Sequence, residues 1–445
     1  MKNTNVSIVT LGCSKNEIDS DLMASILRKY NYQITEDLSE AEIIIVNTCG
    51  FIDAAKEESI DTMWEITKYK SQGSCKILIL AGCLAERYPR ELLEEVEQID
   101  GIIGTGNINN IFEFIEEIKS GKRLISTGNI DSEYIENVNR SINGKTAYIK
   151  ISEGCNNFCT YCIIPKLRGR YRSRKIENIV NEAKYLVQNG VKELILIAQN
   201  TTDYGIDLYG TYKLPDLLDE LNKIKGLKWI RLLYMYPDNF NKDLIRAIKE
   251  NDKVVKYLDI PIQHINNDIL KKMNRNTNKG MITSLIHNLR EEIPEIVLRT
   301  TIIVGFPGET NEQFNELYDY VNHIKFDRLG VFTYSKEEGT KASEFENQIS
   351  EKVKASRQDK IMMLQKQISF DINKSKVGRI YEVLVEEYYE DDIYIGRTYM
   401  DSPEIDGIIY VKSKNKLDLG SFVNVRVSEF LEYDLVGEIV NESSK

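Results

Sequence analysis

Glu153-Gly-Cys-Asn-Asn-Phe-Cys-Thr-Tyr-Cys162 sets Cys155, Cys159 and Cys162 at a C-x3-C-x2-C spacing. Three further cysteines, Cys13, Cys49 and Cys83, are dispersed through the N-terminal third, and Cys75 is the seventh. Three is the wrong number for a closed site. Structural zinc takes four ligands, and simple electron-transfer clusters take four thiolates. The three histidines, His264, His287 and His323, lie far in sequence from both triplets, so neither gains a fourth ligand from them. Three thiolates on a four-iron core leave one iron open to something that reacts. Two such triplets predict metal-centred chemistry with two open coordination positions.

Working outward from the tight triplet, strands are predicted at residues 146–152, 193–198, 229–235, 257–260, 297–304 and 329–333. Amphipathic helices separate them. In 176–189, for example, Ile176, Ile179, Val180, Ala183, Leu186 and Val187 share one stripe and Gly190 follows as the stop. Six βα units in this length fit an open, partial TIM-like barrel. The triplet follows the first strand, on the carboxyl-end face where active sites of such folds are built. Gln199, Gln263 and Arg299 are read as lying at strand ends on that face and are candidates to hydrogen-bond a cofactor. Gly305 and Gly308 follow an apolar strand and are candidates for close backbone approach to it.

Upstream, Val6-Ser-Ile-Val-Thr-Leu11, Glu42-Ile-Ile-Ile-Val46 and Lys76-Ile-Leu-Ile-Leu80 are near-continuous apolar runs. Strands covered on both faces read this way, so a parallel α/β sheet is predicted. Cys13, Cys49 and Cys83 each stand just past one of these strands, where ligands bind in open α/β sheets. Gly12, Gly50 and Gly82 beside them are read as letting the backbone approach a metal core closely. Cys75 is read as structural.

The chain has 445 residues, enough for two or three domains. The predicted boundaries are an N-terminal α/β cluster-binding domain at 1–125, a polar linker at 126–144, the barrel at 145–375 and a small all-β barrel at 378–445. A connecting helix is predicted over 352–374. No run reaches the ~18–20 apolar residues of a membrane span, and the N-terminus lacks an apolar signal segment. With an odd cysteine count, this predicts reduced thiols in the cytoplasm. The net charge of −11 is concentrated at the end: residues 378–445 hold fifteen acids against seven Lys or Arg, a local net of −8. Such a tail repels phosphate backbones and suits a basic protein partner.

With both triplets in place, the whole chain resembles the methylthiotransferases of the radical S-adenosylmethionine superfamily. The C-x3-C-x2-C spacing is that superfamily's signature. Two branches compete, one acting on transfer RNA and one on an aspartate of small-subunit ribosomal protein twelve. Leu11-Gly-Cys-Ser-Lys-Asn16, Asn47-Thr-Cys-Gly-Phe-Ile52 and Ala81-Gly-Cys-Leu-Ala-Glu-Arg-Tyr88 look like the ribosomal-protein branch. So do Arg231-Leu-Leu-Tyr-Met-Tyr-Pro237, Tyr257-Leu-Asp-Ile-Pro-Ile-Gln-His264 and Arg299-Thr-Thr-Ile-Ile-Val-Gly-Phe-Pro-Gly-Glu-Thr310. Ser14 stands where that branch often has proline, and Asn200 where it often has aspartate.

The resemblance implies two [4Fe-4S] clusters, one on each cysteine triplet, and two S-adenosylmethionine molecules per turnover. It implies hydrogen abstraction from the aspartate β-carbon, sulfur insertion and S-methylation, with a TRAM barrel as the C-terminal domain. No side chain is assigned as a catalytic acid or base; that role is left unknown. The implied partners are the basic ribosomal protein, an external one-electron donor such as flavodoxin or ferredoxin, and a sulfur donor, with no membrane. A transfer RNA methylthiotransferase is the nearest alternative, and an iron–sulfur redox or electron-transfer protein is the alternative of another class. The run Lys166-Leu-Arg-Gly-Arg-Tyr-Arg-Ser-Arg-Lys175 carries six positive charges and is read either as a carboxylate-binding segment or as a solvated loop.

Overall fold

Three continuous apolar strands seed the first domain of the computed structural model, which describes residues 4–136, 138–142 and 144–440. The extreme limits of the predicted terminal domains, and linker positions 137 and 143, lie outside the described residues. Strands β1 (Asn5–Thr10), β2 (Gln33–Ile34), β3 (Ile43–Thr48), β4 (Ile77–Ala81), β5 (Gly101–Ile103) and β6 (Leu124–Ser126) form one sheet in the order β2-β1-β3-β4-β5-β6. Every pairing in it is parallel. All six residues of β3 are buried, as a central strand with helices on both faces requires. The short strands β2, β5 and β6 were not read from the sequence; two or three residues are too few to show a period.

The second sheet begins with β7 (Thr146–Lys150). A two-stranded antiparallel ribbon follows, β8 (Ser152–Glu153) with β9 (Arg172–Ser173), and encloses the tight cysteine triplet between its strands. The series continues with β10 (Glu193–Ile197), β11 (Trp229–Leu232), β12 (Val254–Asp259), β13 (Val297–Val304) and β14 (Arg328–Thr333). These pair in parallel in sequence order from β7 through β10 to β14, so β7 and β14 are the two edges of an open barrel. One face buries Ile149, Leu194, Leu196, Ile230, Leu258, Leu298 and Ile302 beneath helices such as Ile176–Gln188. That helix ends one residue before Asn189, with Gly190 behind it at φ 104°, a left-handed stop.

The other face is filled from two directions. The first helix, α1 (Ser14–Lys29), contributes Ile18 and Leu22. The C-terminal barrel contributes Val383, Val411, Val425 and Val427, and its Phe422 meets Trp229 edge-on at 4.8 Å. This closed barrel contains β15 (Ile380–Glu390), β16 (Ile393–Arg397), β17 (Ile409–Lys412), β18 (Phe422–Phe430) and β19 (Leu435–Ile439), and it follows the helix Glu351–Lys374. The fold class is therefore the one expected: two parallel α/β units and a closed five-stranded β-barrel. The fifth strand, β19, was not read from the sequence.

The segment read as a polar linker is packed rather than free. Arg140 is buried and bonds Glu182 at 2.9 Å, Asp21 at 3.2 Å and the Tyr148 carbonyl at 2.5 Å, joining α1 to the barrel. Tyr134 lies under the Arg174 guanidinium, 4.1 Å from its ring centroid.

Candidate active site

β1, β3 and β4 are neighbours in the first sheet, so their carboxyl ends bring Cys13, Cys49 and Cys83 to one edge. Cys13 caps α1, Cys49 follows β3 directly, and Cys83 lies in the first turn of the helix Gly82–Arg87. Gly12 has φ +90°, and a Cβ there would stand 2.6 Å from Cys49 Cβ and 2.9 Å from its Sγ. A Cβ on Gly82, at φ +89°, would meet the Asn47 side chain at 2.3 Å. What these glycines admit is thus neighbouring protein, Cys49 and Asn47, drawing the cysteine-bearing turns together. Asn16 pins the start of α1: its amide donates to the Leu11 and Thr48 carbonyls at 2.8 and 3.1 Å, and its carbonyl oxygen accepts from Arg168 at 2.7 Å.

Cys155, Cys159 and Cys162 ride a tight loop, with the Cys162 N–H on the Cys159 carbonyl at 3.0 Å. Thr160 staples the loop to the segment after β12, its hydroxyl on the Lys272 carbonyl at 2.8 Å and its N–H on that of Met273 at 3.0 Å. All six thiols are free. Burial pushes the Cys83 thiol up to about 12, with Cys13 and Cys49 adding to the effect and Arg168 opposing it. Burial likewise raises Cys155 to about 11, and Cys162 is raised by burial and by the Cys159 and Cys155 thiols. Thiols that suppress one another's ionisation suit a shared cationic core, which stabilises all the thiolates at once. Among the described residues no three His, Cys, Asp or Glu side chains are gathered to grip a single metal ion. A four-iron cluster does not ask for that, because each thiolate binds its own iron.

The segments bearing the two triplets pack together. Cys83 packs in one small buried cluster with Ile163, the neighbour of Cys162, and with Leu167. Beside this contact, a buried ion network bridges the domains. Lys150 meets Asp19 at 2.6 Å and Glu153 at 2.5 Å, while Arg168 meets Asp19 at 3.0 Å and Glu153 at 3.2 Å. Burial would raise the Glu153 carboxyl, but Lys150 and Arg168 outweigh it and hold it well below the usual range. Sequence reading missed this network. Its signals were there, Glu153 inside the cysteine run and Arg168 inside the basic run, but their acidic partner Asp19 is remote in sequence. The basic run divides: Lys166, Arg170 and Lys175 are exposed, whereas Arg168 and Arg174 are buried and paired, Arg174 with Glu136 at 2.6 Å and Glu182 at 2.7 Å.

The five candidate cofactor contacts divide. Gln199 lies two residues past β10 and donates to Glu153 at 2.6 Å, which leaves its buried Oε1 without a partner. Gln263 follows β12 with φ 66°, and its buried Oε1 is also unpartnered. Two orphaned acceptors past the carboxyl ends of β10 and β12, with β11 between them, suit a donor-bearing small molecule. Arg299 is not at a strand end. It is the third residue of the eight-residue β13, and its guanidinium bonds Asp259 at 2.9 Å and lies 3.5 Å from Asp406 of the C-terminal barrel. Gly305 follows β13 at φ +72°, where a Cβ would meet Lys354 Cγ at 2.3 Å, and its N–H is taken by Glu309. Gly308 has φ +75°, with the Lys272 ammonium 3.1 Å from where a Cβ would stand. His264 is wholly buried and accepts from the Asn266 N–H at 3.0 Å through Nδ1, a structural arrangement. Cys75 is buried under the first sheet with its Sγ on the Ile77 carbonyl at 3.4 Å, apart from both triplets.

Residues 149–321 match the Radical SAM superfamily, residues 5–104 match Uncharacterized protein family UPF0004, and residues 377–440 match the TRAM domain. The chain is 53% identical over 436 residues to the ribosomal protein uS12 methylthiotransferase RimO of Thermoanaerobacter sp. (strain X514), covering 98% of this chain and 99% of that protein. It belongs to the RimO family. The RimO of Clostridioides difficile (strain 630) is 50% identical over 439 residues, again covering 98% and 99% of the two chains. Among solved structures, the radical S-adenosylmethionine methyltransferase TsrM from Kitasatospora setae shares the fold at a TM-score of 0.57 and 14% identity, covering 85% of this chain and 80% of that one. RimO membership makes the chain a radical S-adenosylmethionine enzyme of the methylthiotransferase class, for which one [4Fe-4S] cluster and S-adenosylmethionine are implied. Among the described residues no helix is long and apolar enough to cross a membrane.

Proposed function

We propose that this chain methylthiolates the β-carbon of an aspartate in ribosomal protein uS12, and that Cys155, Cys159 and Cys162 hold one four-iron cluster while Cys13, Cys49 and Cys83 hold a second. The observation that supports this reading is the small buried cluster of Cys83, Ile163 and Leu167, which joins the loops that bear the two triplets. A strong C–H bond flanked by a carboxylate is beyond side-chain acid–base chemistry at neutral pH, so one S-adenosylmethionine held at the cluster on Cys155, Cys159 and Cys162 would supply the hydrogen abstraction and a second would supply the methyl group.

The chain's own residues bind, orient and exclude. The loop stapled by Thr160 presents three thiolates while Gln199 and Gln263 offer acceptors to the cofactor. Arg168, Glu153, Asp19 and Lys150 tie together the two units that bear the triplets. The 1–125 and 145–375 units each carry one site, and the 378–445 barrel carries the acidic surface that meets the basic substrate. An external one-electron donor and a sulfur donor complete the turnover, in the cytoplasm. The reconstituted protein is to be incubated anaerobically with reductant, S-adenosylmethionine, a sulfide source, and either uS12 or transfer RNA, and the products read by mass spectrometry. The reading expects a methylthio group on one aspartate of uS12. A methylthiolated adenosine with unmodified uS12 contradicts it.

A further inference from the structure

Lys15, two residues past Cys13, is 7% exposed, and its ammonium sits over the Tyr234 ring, 2.9 Å from the centroid. Among the described residues it has no carboxylate partner and no hydrogen bond. Its neighbour on the same helix, Glu17, is not paired with it: burial, Glu404 and Asp21 all push the Glu17 carboxyl up, the opposite of what pairing with a lysine does. Asp259, which touches Tyr234, accepts its backbone N–H and the Arg299 guanidinium instead.

The cation–π contact leaves the ammonium's donors without an acceptor among the described residues. The nearby Ser14 Oγ is buried and unpartnered. The position is rigid, because Asn16 and Asn47 lock the start of α1 through buried hydrogen bonds. The place is also specific. Tyr234 lies two residues past β11, at the carboxyl end of the barrel, while Lys15 belongs to the cysteine-bearing edge of the first sheet. The ammonium therefore lies where the cysteine-bearing edge of the first sheet meets the carboxyl end of the barrel.

We propose that Lys15 is the specificity-determining contact for the side-chain carboxylate of the substrate residue, with Tyr234 holding the ammonium in place until the carboxylate arrives. The inference rests on the uS12 reading above: the carboxylate of an aspartate is bonded directly to the β-carbon that reacts, so a cation gripping it also positions that carbon. Arg299 and Arg231 are committed to Asp259 and Glu193, Arg168 to Asp19 and Glu153, and Arg275 donates to the Pro261 carbonyl. The same cation could instead serve the cofactor's carboxylate, and the experiment separates the two sources.

The test compares the reconstituted wild type with Lys15→Gln and Lys15→Arg on two substrates, uS12 and uS12 with its target aspartate changed to asparagine. Both kcat/KM and equilibrium binding of each uS12 form are measured, with KM for S-adenosylmethionine as a separate arm. The wild type is expected to prefer the aspartate form by about 100-fold, the cost of stranding a buried charge. Lys15→Gln is expected to erase that preference, and Lys15→Arg to keep part of it. A merely structural lysine would lower rates on both substrates alike and leave their ratio intact, which overturns the inference. So does a Lys15→Gln protein whose only defect is a raised KM for S-adenosylmethionine. A wild type that modifies neither form of uS12 overturns the uS12 reading itself and the inference with it.

Discussion

At the amino end of the open barrel, charges are buried in pairs. Glu193 opens β10 and is held by Arg231 at 2.8 Å and by Arg397 of the C-terminal barrel at 2.6 Å. Arg328 opens β14 and meets Asp401 at 2.5 Å, and Tyr257 donates to Asp406 at 2.6 Å. At the carboxyl end the polar groups are left wanting: Gln199 Oε1, Gln263 Oε1, the Lys15 ammonium and six free thiols. The C-terminal barrel closes the first end mainly with paired ions, while at the second end the first domain brings unpartnered groups beside the paired network of Asp19, Lys150, Glu153 and Arg168. Buried polar groups without partners cost stability, so a fold retains them where a ligand completes them. The contrast separates adhesion from chemistry within one barrel.

The largest way to break the contrast is at the paired end. Glu193→Gln leaves Arg231 with the Tyr399 carbonyl and the new amide as acceptors, while Arg397 keeps Glu386, a loss of about 3 kcal/mol. Limited proteolysis should then release the C-terminal barrel. Acid should do the same to the wild type. Burial alone would raise Glu193, but Arg231 and Arg397 outweigh it and hold its pKa down at about 2. A depressed carboxylate stabilises the fold fully above its unfolded value of about 4.3 and loses that contribution as pH falls towards about 2. Protease resistance of the junction should therefore fall in that window for the wild type, and the Glu193→Gln protein should lack this segment of the pH profile.

A smaller effect is expected from the exposed acids. The sequence placed a net −8 on the last 68 residues, but Asp401, Asp406 and Glu386 spend their charge on Arg328, Arg299 and Arg397. Glu387, Asp391 and Asp392, at the β15–β16 turn, face solvent. Reversing these three to Lys should slow association with uS12 by up to about tenfold at low salt and by little at high salt. Stopped-flow binding across a salt series checks it. An unchanged rate at low salt removes this hairpin from the docking surface.

The cysteine sites were legible because ligand chemistry is local. A C-x3-C-x2-C loop needs no partner elsewhere to be recognised, and three cysteines past three apolar strands carry their geometry in the strand order. What could not be read was pairing between domains. Arg168 and Arg174 look solvated in a run of six cations until Asp19 and Glu182 arrive from elsewhere in the chain. Arg299 looked like a strand-end ligand because a strand's apolar run does not announce which end faces the site. The segment from 126 to 144 looked like a linker because Arg140 is polar, and its acceptors, Asp21 and Glu182, are supplied by two different units.

The most direct test counts iron and product together. Wild type, C155A/C159A/C162A and C13A/C49A/C83A are reconstituted anaerobically and assayed for iron per chain and for methylthiolated uS12. Two separate sites predict about eight irons in the wild type and about four in each variant, with no modified uS12 from either variant. Full iron in a triple variant, or methylthiolated uS12 from one, would contradict the account of two separate sites.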